Sequence, residues 1–129
     1  MKILTLDDIK NTEREVRCPK GGFVSYRFLL KKDNMGFSMH KTIIPKGDEQ
    51  HWNYKNHLEA CYCVCGKGIL TDLKSGKKYS IVEDVVYVLD DYDDHLFLAL
   101  EDVILICIFT PPIVGNEVHD ENGVYKLIS

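Results

Sequence analysis

Residues 57–65 have the sequence HLEACYCVC. Successive side chains of a β-strand point to opposite faces, so a strand here would place Glu59 on the same face as His57 and three cysteines. If that face lies inside the protein, Glu59 is a buried carboxylate, which is costly unless it is hydrogen-bonded, paired or bound to a metal. The stretch therefore predicts a strand and makes Glu59 the first candidate functional residue.

Short apolar or alternating stretches continue on both sides of this strand, separated by turn sequences rich in glycine, asparagine, aspartate and lysine. We predict strands at 23–30, 36–44, 57–65, 69–73, 78–82, 85–90, 95–100 and 103–109. Helical features occur only at residues 5–10, with Thr5 as a possible N-cap. Many short strands and so little helix predict an all-β fold, a small β-barrel or jelly roll with a short N-terminal helix. No linker or repeat divides the chain, so we expect a single domain over residues 1–129.

Composition and charge exclude several classes of protein. The 129 residues are 45% hydrophobic and 28% charged, which is typical of a globular domain. A formal net charge of -4 gives no electrostatic basis for binding nucleic acid. The longest apolar run, residues 103–109, is far shorter than the ~18 residues of a membrane helix, and the first residues do not resemble a signal peptide. We therefore expect a cytoplasmic protein without a membrane or nucleic-acid partner.

The five cysteines agree with a cytoplasmic location, because their number is odd and three of them alternate along one predicted strand. Neighbours at positions i and i+2 of a strand are poorly placed to form a disulfide with each other. Structural zinc sites use two separate pairs of ligands, and the sequence has no second cluster. We interpret the cysteines as reduced, small core residues.

The surroundings of Glu59 resemble the first cupin motif. Gly47 and Gly66 stand at the spacing of its two glycines, whereas its two histidine positions hold an asparagine and a lysine. In the second cupin motif Gly76 is in place, and Tyr87 stands where a metal-binding histidine is usual. The chain thus resembles a cupin in which the usual metal ligands are replaced.

Five separated blocks extend the resemblance to the ectoine synthase family. In chain order they are HWNYKNHLEACYC at 51–63, YVLD at 87–90, DDH at 93–95, FTP at 109–111 and GNEVH at 115–119. The family pattern for the first block is H-x-x-Y-K-x-H-x-E-A-x-Y-C. Blocks in the same order and at compatible spacing over nearly the whole chain are far more specific than any single motif.

The resemblance implies a cupin barrel that closes a ring. The family's substrate is N-γ-acetyl-2,4-diaminobutyrate, whose α-amine attacks the acetyl amide carbonyl; loss of water then gives the cyclic amidine ectoine. By similarity, Glu59, Tyr87 and His95 would bind iron(II), Fe2+. Oxygen ligands with one imidazole also accept Mn2+ or Zn2+. Three protein ligands leave positions open for substrate.

The resemblance also implies the residues that contact the substrate. Tyr54 and His57 precede the strand that carries Glu59, and the resemblance implies substrate contacts for both, although His57 could equally orient another group. Glu117 and His119 are two residues apart, so in an extended segment they point the same way, as an acid/base pair would. We expect these four to be catalytic. The expected substrate-binding set is Phe23, Arg27, His40, Thr42, Tyr54, His57, Cys107, Phe109, Glu117 and His119.

Other details of the expected site come from the same comparison. An arginine offers the bidentate geometry that a carboxylate prefers, so Arg27 with Thr42 could hold the substrate carboxylate. The segment with Glu117 and His119 would cover the barrel mouth and exclude water. His51 is most simply a turn residue. Family members resemble head-to-tail dimers, and we expect a homodimer.

The sequence also departs from the family pattern, since Phe23 replaces a common tryptophan and Cys65 a frequent glutamate. No departure removes an expected metal ligand. Two alternatives therefore stay open beside ectoine synthesis. One is a cyclase or hydrolase acting on a related amide or cyclic amidine, and the other is a cupin that binds a small molecule without catalysis.

Overall fold

The structure is a computed structural model and describes residues 1–115. Its elements in chain order are α1 (Leu6–Ile9), β1 (Glu15–Arg17), β2 (Val24–Leu29), a 3-10 turn (Lys31–Asp33), β3 (Ser38–Ile44), β4 (Glu49–Asn53), β5 (Leu58–Cys65), β6 (Lys67–Asp72), β7 (Lys78–Val82), β8 (Val86–Leu89), β9 (Asp94–Ala99) and β10 (Val103–Thr110). Among the described residues, no helix is long and apolar enough to cross a membrane.

The strands form two antiparallel sheets. Sheet A has the order β1-β2-β3-β10-β5-β8, and sheet B has the order β4-β9-β6-β7. From β3 onward the chain passes repeatedly from one sheet to the other, so that the last strand, β10, pairs with both β3 and β5. This arrangement is a jelly roll and confirms the expected all-β fold.

The sequence patterns explain most of these elements. All eight predicted strands are present, β7 with the predicted bounds and the other seven with shifted ends. Thr5 caps α1 as expected, since its Oγ1 accepts from the backbone N–H of Asp8 at 3.4 Å and its own backbone N–H donates to the Asp8 carboxylate at 2.8 Å. Two strands, β1 and β4, were not predicted because their residues are largely polar. The turn expected at His51 is wrong: this residue lies in β4, opposite Leu96 of β9, because pairing between the strands overrides the weak local signal.

The core lies between the two sheets. Along β10 every second side chain is buried, as the alternation of a strand with one inward face requires. Ile44 and Leu105 of sheet A and Phe97 and Ile81 of sheet B are each at most 1% exposed and belong to one cluster. Burying each such side chain contributes roughly 1.5–3 kcal/mol.

One glycine closes the turn that follows β5. Gly66 lies between β5 and β6 with a φ of +94°, and a Cβ atom there would lie 2.1 Å from the backbone oxygen of Asp102. Only glycine tolerates both the positive φ and this close approach. The turn thereby fixes where β5 ends relative to β10.

Candidate active site

A row of inward side chains crosses sheet A. The register places Arg27 opposite His40, His40 opposite Cys107, Cys107 opposite Cys61, and Cys61 opposite Tyr87, on β2, β3, β10, β5 and β8. All five side chains are buried. All except Cys61 were expected site residues. They come together because the sheet order places β2, β3, β10, β5 and β8 side by side, although the strands are far apart in sequence.

Glu59 lies one step along β5 from this row, on the same face. It is 6% exposed and faces the barrel interior, as the alternation predicts. Burial raises the pKa of its carboxyl to about 8, and hydrogen bonding to the thiols of Cys61 and Cys107 opposes this shift less strongly. Because a buried carboxyl with so high a pKa is costly to ionise, Glu59 needs a cation or a proton.

His95 approaches from the opposite sheet. It lies on β9, is 1% exposed, and its Nδ1 is 2.9 Å from the backbone oxygen of Asp93. A backbone carbonyl only accepts, so Nδ1 carries the proton and Nε2 keeps its lone pair. Nε2 is buried and has no hydrogen-bond partner among the described residues. Desolvation lowers the pKa of this imidazole, which favours the neutral form that binds metals.

Tyr87 connects the surroundings of the other two expected ligands. Its side chain lines the interior cavity together with Glu59, and it borders a groove that His95 also lines. Its ring lies 6.2 Å from that of Phe97. Burial is the main cause that raises the pKa of its phenol well above the usual range. A phenolate at this position therefore requires a nearby cation.

The three expected ligands fit a metal ion by their chemistry. Glu59 is a buried carboxylate and forms none of the ion pairs found among residues 1–115. His95 is held by the hydrogen bond from Nδ1 to the Asp93 carbonyl, and its Nε2 has no hydrogen-bond partner among the same residues. An imidazole whose other nitrogen donates to a carbonyl is the usual arrangement of a metal-binding histidine. A second group of donors also lies close together, since ligand atoms of Glu59, Cys61 and Cys107 are within 4.8 Å of one another.

The interior cavity gathers most of the expected substrate-binding residues. From that set it is lined by Phe23, His40, Thr42, Tyr54, Cys107 and Phe109. Glu59 and Tyr87 line the same cavity. Its free volume is about 10 Å³, which is room for about one water molecule or metal ion. This volume is too small for a molecule the size of the expected substrate.

Aromatic rings surround this cavity. The ring of Tyr54 lies 5.0 Å from Phe109 in an edge-to-face contact and 5.9 Å from the imidazole of His95. Phe23 packs edge-to-face on Trp52 at 5.5 Å. These contacts fix Tyr54 between the expected metal ligand and the wall of the cavity.

Two expected residues lie beside the cavity rather than on its wall. His57 precedes β5 and is buried, with Nδ1 2.7 Å from the backbone oxygen of Pro111. Arg27 is fully buried and donates from Nη1 to the backbone oxygen of Gly115 at 2.8 Å. Glu117 and His119 lie outside the described residues.

His40 stands between Arg27 and Cys107 in the row and is 1% exposed. Desolvation is the main cause that holds the pKa of its imidazole well below the usual range, and the positive charge of Arg27 acts in the same direction. His40 is therefore a neutral polar group in the cavity wall. Its ring is 5.1 Å from that of Phe109.

Four further residues reach the site although they were not among the expected site residues. Ser25, Trp52 and Leu105 line the cavity, and Cys61 lies between Cys107 and Tyr87 in the row. Trp52 lies on β4, whose polar sequence hides a strand. The alternation of residues 57–65 puts Cys61 on the face of Glu59, but only the strand pairing shows its two neighbours.

The fold and the donors together define a class of protein. A two-sheet jelly-roll barrel with candidate metal ligands buried between its sheets is typical of the cupins. In agreement, the structure is similar to the Cnp3 cupin domain of Schizosaccharomyces pombe, with a TM-score of 0.58 and 15% identity over 68% of this chain and 64% of that chain. At this identity the likeness concerns the fold alone.

Within this class, the chain belongs to the ectoine synthase family, whose family profile matches residues 1–129. An L-ectoine synthase from Halalkalibacterium halodurans is 48% identical over 128 residues, which cover 99% of this chain and 98% of the relative. The crystal structure of ectoine synthase from P. lautus superposes with a TM-score of 0.82 and 35% identity, covering 88% of this chain and 80% of that one. The resemblance found in the sequence is thus confirmed.

Proposed function

We propose that this chain catalyses the reaction of its family, the closure of N-γ-acetyl-2,4-diaminobutyrate to ectoine with loss of water. The observation that carries this proposal is the interior cavity, where Glu59 and Tyr87 stand together with Tyr54, Thr42 and Phe109. The similarity to proteins named L-ectoine synthase over almost the whole chain supports the same activity.

The proposed metal ligands are Glu59, Tyr87 and His95, with iron(II) as the expected ion. Two come from sheet A and one from sheet B, so the site forms only when both sheets are packed. The bound ion would supply Lewis-acid polarisation of the amide carbonyl. The rest of the chemistry falls to the protein's own groups, which must hold the amine neutral, orient it, and protonate the departing hydroxyl.

His57 is suited to handle the proton of the attacking amine. Its Nδ1 lies 2.7 Å from the Pro111 carbonyl, which only accepts, so the neutral ring presents Nε2 as its basic atom. Tyr54 stands on the cavity wall near His95 and would contact the acetyl end of the substrate. We further propose that Glu117 and His119 protonate the departing hydroxyl.

The opposite end of the substrate would be held by its carboxylate. Arg27 is a fully buried guanidinium on β2, and Thr42 lies on the cavity wall on the adjacent strand β3. A buried positive charge favours a carboxylate over a neutral group. In the structure Arg27 donates to the carbonyl of Gly115, so this side chain also holds the segment that follows β10, up to Gly115.

The experiment compares two isomers of the substrate. The protein is loaded with iron(II) under oxygen-free conditions and incubated with either N-γ-acetyl- or N-α-acetyl-2,4-diaminobutyrate. Formation of the cyclic product is followed by chromatography. We expect ectoine from the γ-isomer and a much slower reaction of the α-isomer, because exchanging amine and amide moves the carbonyl towards Arg27 and Thr42. Absence of product from the γ-isomer, with iron confirmed in the protein, would contradict the proposal.

We also propose a homodimer and a cytoplasmic location. The outward face of β5 and β8 carries the exposed apolar side chains of Tyr62, Val64, Val86 and Val88, and β8 is the edge of sheet A. Such a face favours association. A monomeric mass in light scattering at micromolar concentration would contradict the dimer.

The proposed cytoplasmic location agrees with the state of the cysteines. All five are free thiols, which suits a reducing compartment.

A further inference from the structure

Two thiols lie side by side at the centre of the row in sheet A. Cys61 and Cys107 are cross-strand partners on β5 and β10, are 1% and 4% exposed, and have their sulfur atoms 3.6 Å apart. Ligand atoms of both cysteines and of Glu59 lie within 4.8 Å of one another. The expected iron site uses Glu59 but neither of the two thiols as a ligand.

The distance between the sulfur atoms has a simple geometric meaning. Two bonds of ~2.3 Å from one metal ion at a tetrahedral angle place their sulfur atoms roughly 3.8 Å apart. The observed separation of 3.6 Å is close to this value, whereas a disulfide would require about 2.05 Å. The two side chains are therefore already spaced as a chelating pair.

The neighbouring groups complete a coordination sphere. Glu59 adds a carboxylate oxygen, and Tyr87, the cross-strand partner of Cys61 on its other side, interacts with the Cys61 thiol through its side chain. The cavity lined by Glu59, Tyr87 and Cys107 has a free volume of about 10 Å³, enough for one ion. Two sulfur and two oxygen donors suit a four-coordinate ion.

We propose that Cys61, Cys107 and Glu59 form a second metal site, which takes a thiophilic divalent ion such as Zn2+ or Cd2+. On binding, each thiol releases its proton to solvent and forms one metal–sulfur bond, and below about pH 8 the Glu59 carboxyl also releases its proton as it binds the ion, so no oxidant is needed. Glu59 belongs to both sites, so an ion held by the thiols competes with one held through His95.

The first test is the binding of Cd2+ to the full-length, reduced, metal-free protein without substrate. Cadmium thiolates have an ultraviolet charge-transfer band, and we expect it to saturate at one Cd2+ per chain with release of two thiol protons. Cys61→Val and Cys107→Val are each expected to abolish the band or to weaken Cd2+ binding at least tenfold. Cys63→Val is the matched control, because Cys63 is buried on the same face of the same strand, and it should keep the band.

A second variant separates this site from the proposed iron site. His95→Ala removes an expected iron ligand only, so it should keep the cadmium band while its iron content falls. Circular dichroism checks that each variant is folded, and Cys61→Ser replaces Cys61→Val if the latter is not. The inference would be overturned if folded wild-type protein showed no band, or if both cysteine variants kept an unchanged band. Loss of the band in Cys63→Val or in His95→Ala would overturn it as well. None of these results depends on ring-closing activity.

Discussion

Replacing Glu59 by glutamine should change how the stability of the metal-free protein depends on pH. Burial raises the pKa of this carboxyl from 4.5 to about 8 in the folded protein. Between these two values the folded state keeps a proton that the unfolded chain has lost, so the free energy of unfolding falls as pH rises. An interval of about 3.5 pH units at ~1.4 kcal/mol per unit amounts to about 5 kcal/mol above pH 8.

A neutral glutamine has no such titration. Chelator-treated wild type and Glu59→Gln should therefore have similar stabilities near pH 5, and the variant should gain on the wild type by up to ~5 kcal/mol near pH 9. Denaturant unfolding at several pH values, with the thiols kept reduced, measures the difference. The exposed Glu101→Gln is the matched control and should follow the wild type at every pH. Parallel curves for wild type and Glu59→Gln would refute the assignment of Glu59 as a costly buried acid.

Addition of metal should narrow the difference in stability between the two proteins. A metal ion present at a free concentration 100 times its dissociation constant stabilises the folded protein that binds it by ~2.7 kcal/mol. A protein that does not bind the ion gains nothing. Near pH 8 we expect iron(II) or zinc to stabilise the wild type and to leave Glu59→Gln almost unchanged. Equal stabilisation of both proteins would show that Glu59 is not a ligand.

Two further predictions concern the turn after β5 and the separation of roles within the site. Gly66→Ala should destabilise the protein by about 3 kcal/mol or more, because the new Cβ would lie 2.1 Å from the Asp102 carbonyl oxygen. Gly76→Ala, also at positive φ but in open space, should destabilise it by about 1 kcal/mol. Thermal unfolding compares the two variants, and equal losses of stability would contradict the steric argument. Tyr87→Phe should lower metal content together with activity, whereas His119→Ala should keep the metal and slow turnover. An equal loss of metal in both would show that the roles are wrongly divided.

Much of the fold could be predicted from local patterns. The alternation in residues 57–65 correctly predicted a strand with Glu59 on its inward face, and the apolar run at 103–109 correctly predicted a second strand. β4 could not be predicted, since its polar residues become a strand only by pairing with β9. His51 consequently lies in a strand and contacts Asp94 instead of forming a turn.

The candidate site was predictable as a set of residues but not as an arrangement. Family blocks identified Glu59, Tyr87 and His95, and the structure buries all three. The importance of Cys61 could not be seen, because its neighbours Cys107 and Tyr87 are brought beside it by pairing between strands distant in sequence. Register across a sheet depends on the whole fold, which a local pattern does not contain.

The most direct test of the proposed site measures iron content and ectoine formation in the same preparations. Wild-type protein and the variants Glu59→Ala, Tyr87→Phe and His95→Ala are loaded with iron(II) under identical oxygen-free conditions, desalted, and assayed with the γ-acetyl substrate. We expect about one iron per chain in the wild type, a large loss in each variant, and product formation in proportion to the iron retained. Full iron content in folded His95→Ala, or ectoine formed at the wild-type rate by iron-free protein, would contradict the assignment of these residues as ligands of a metal that ring closure requires.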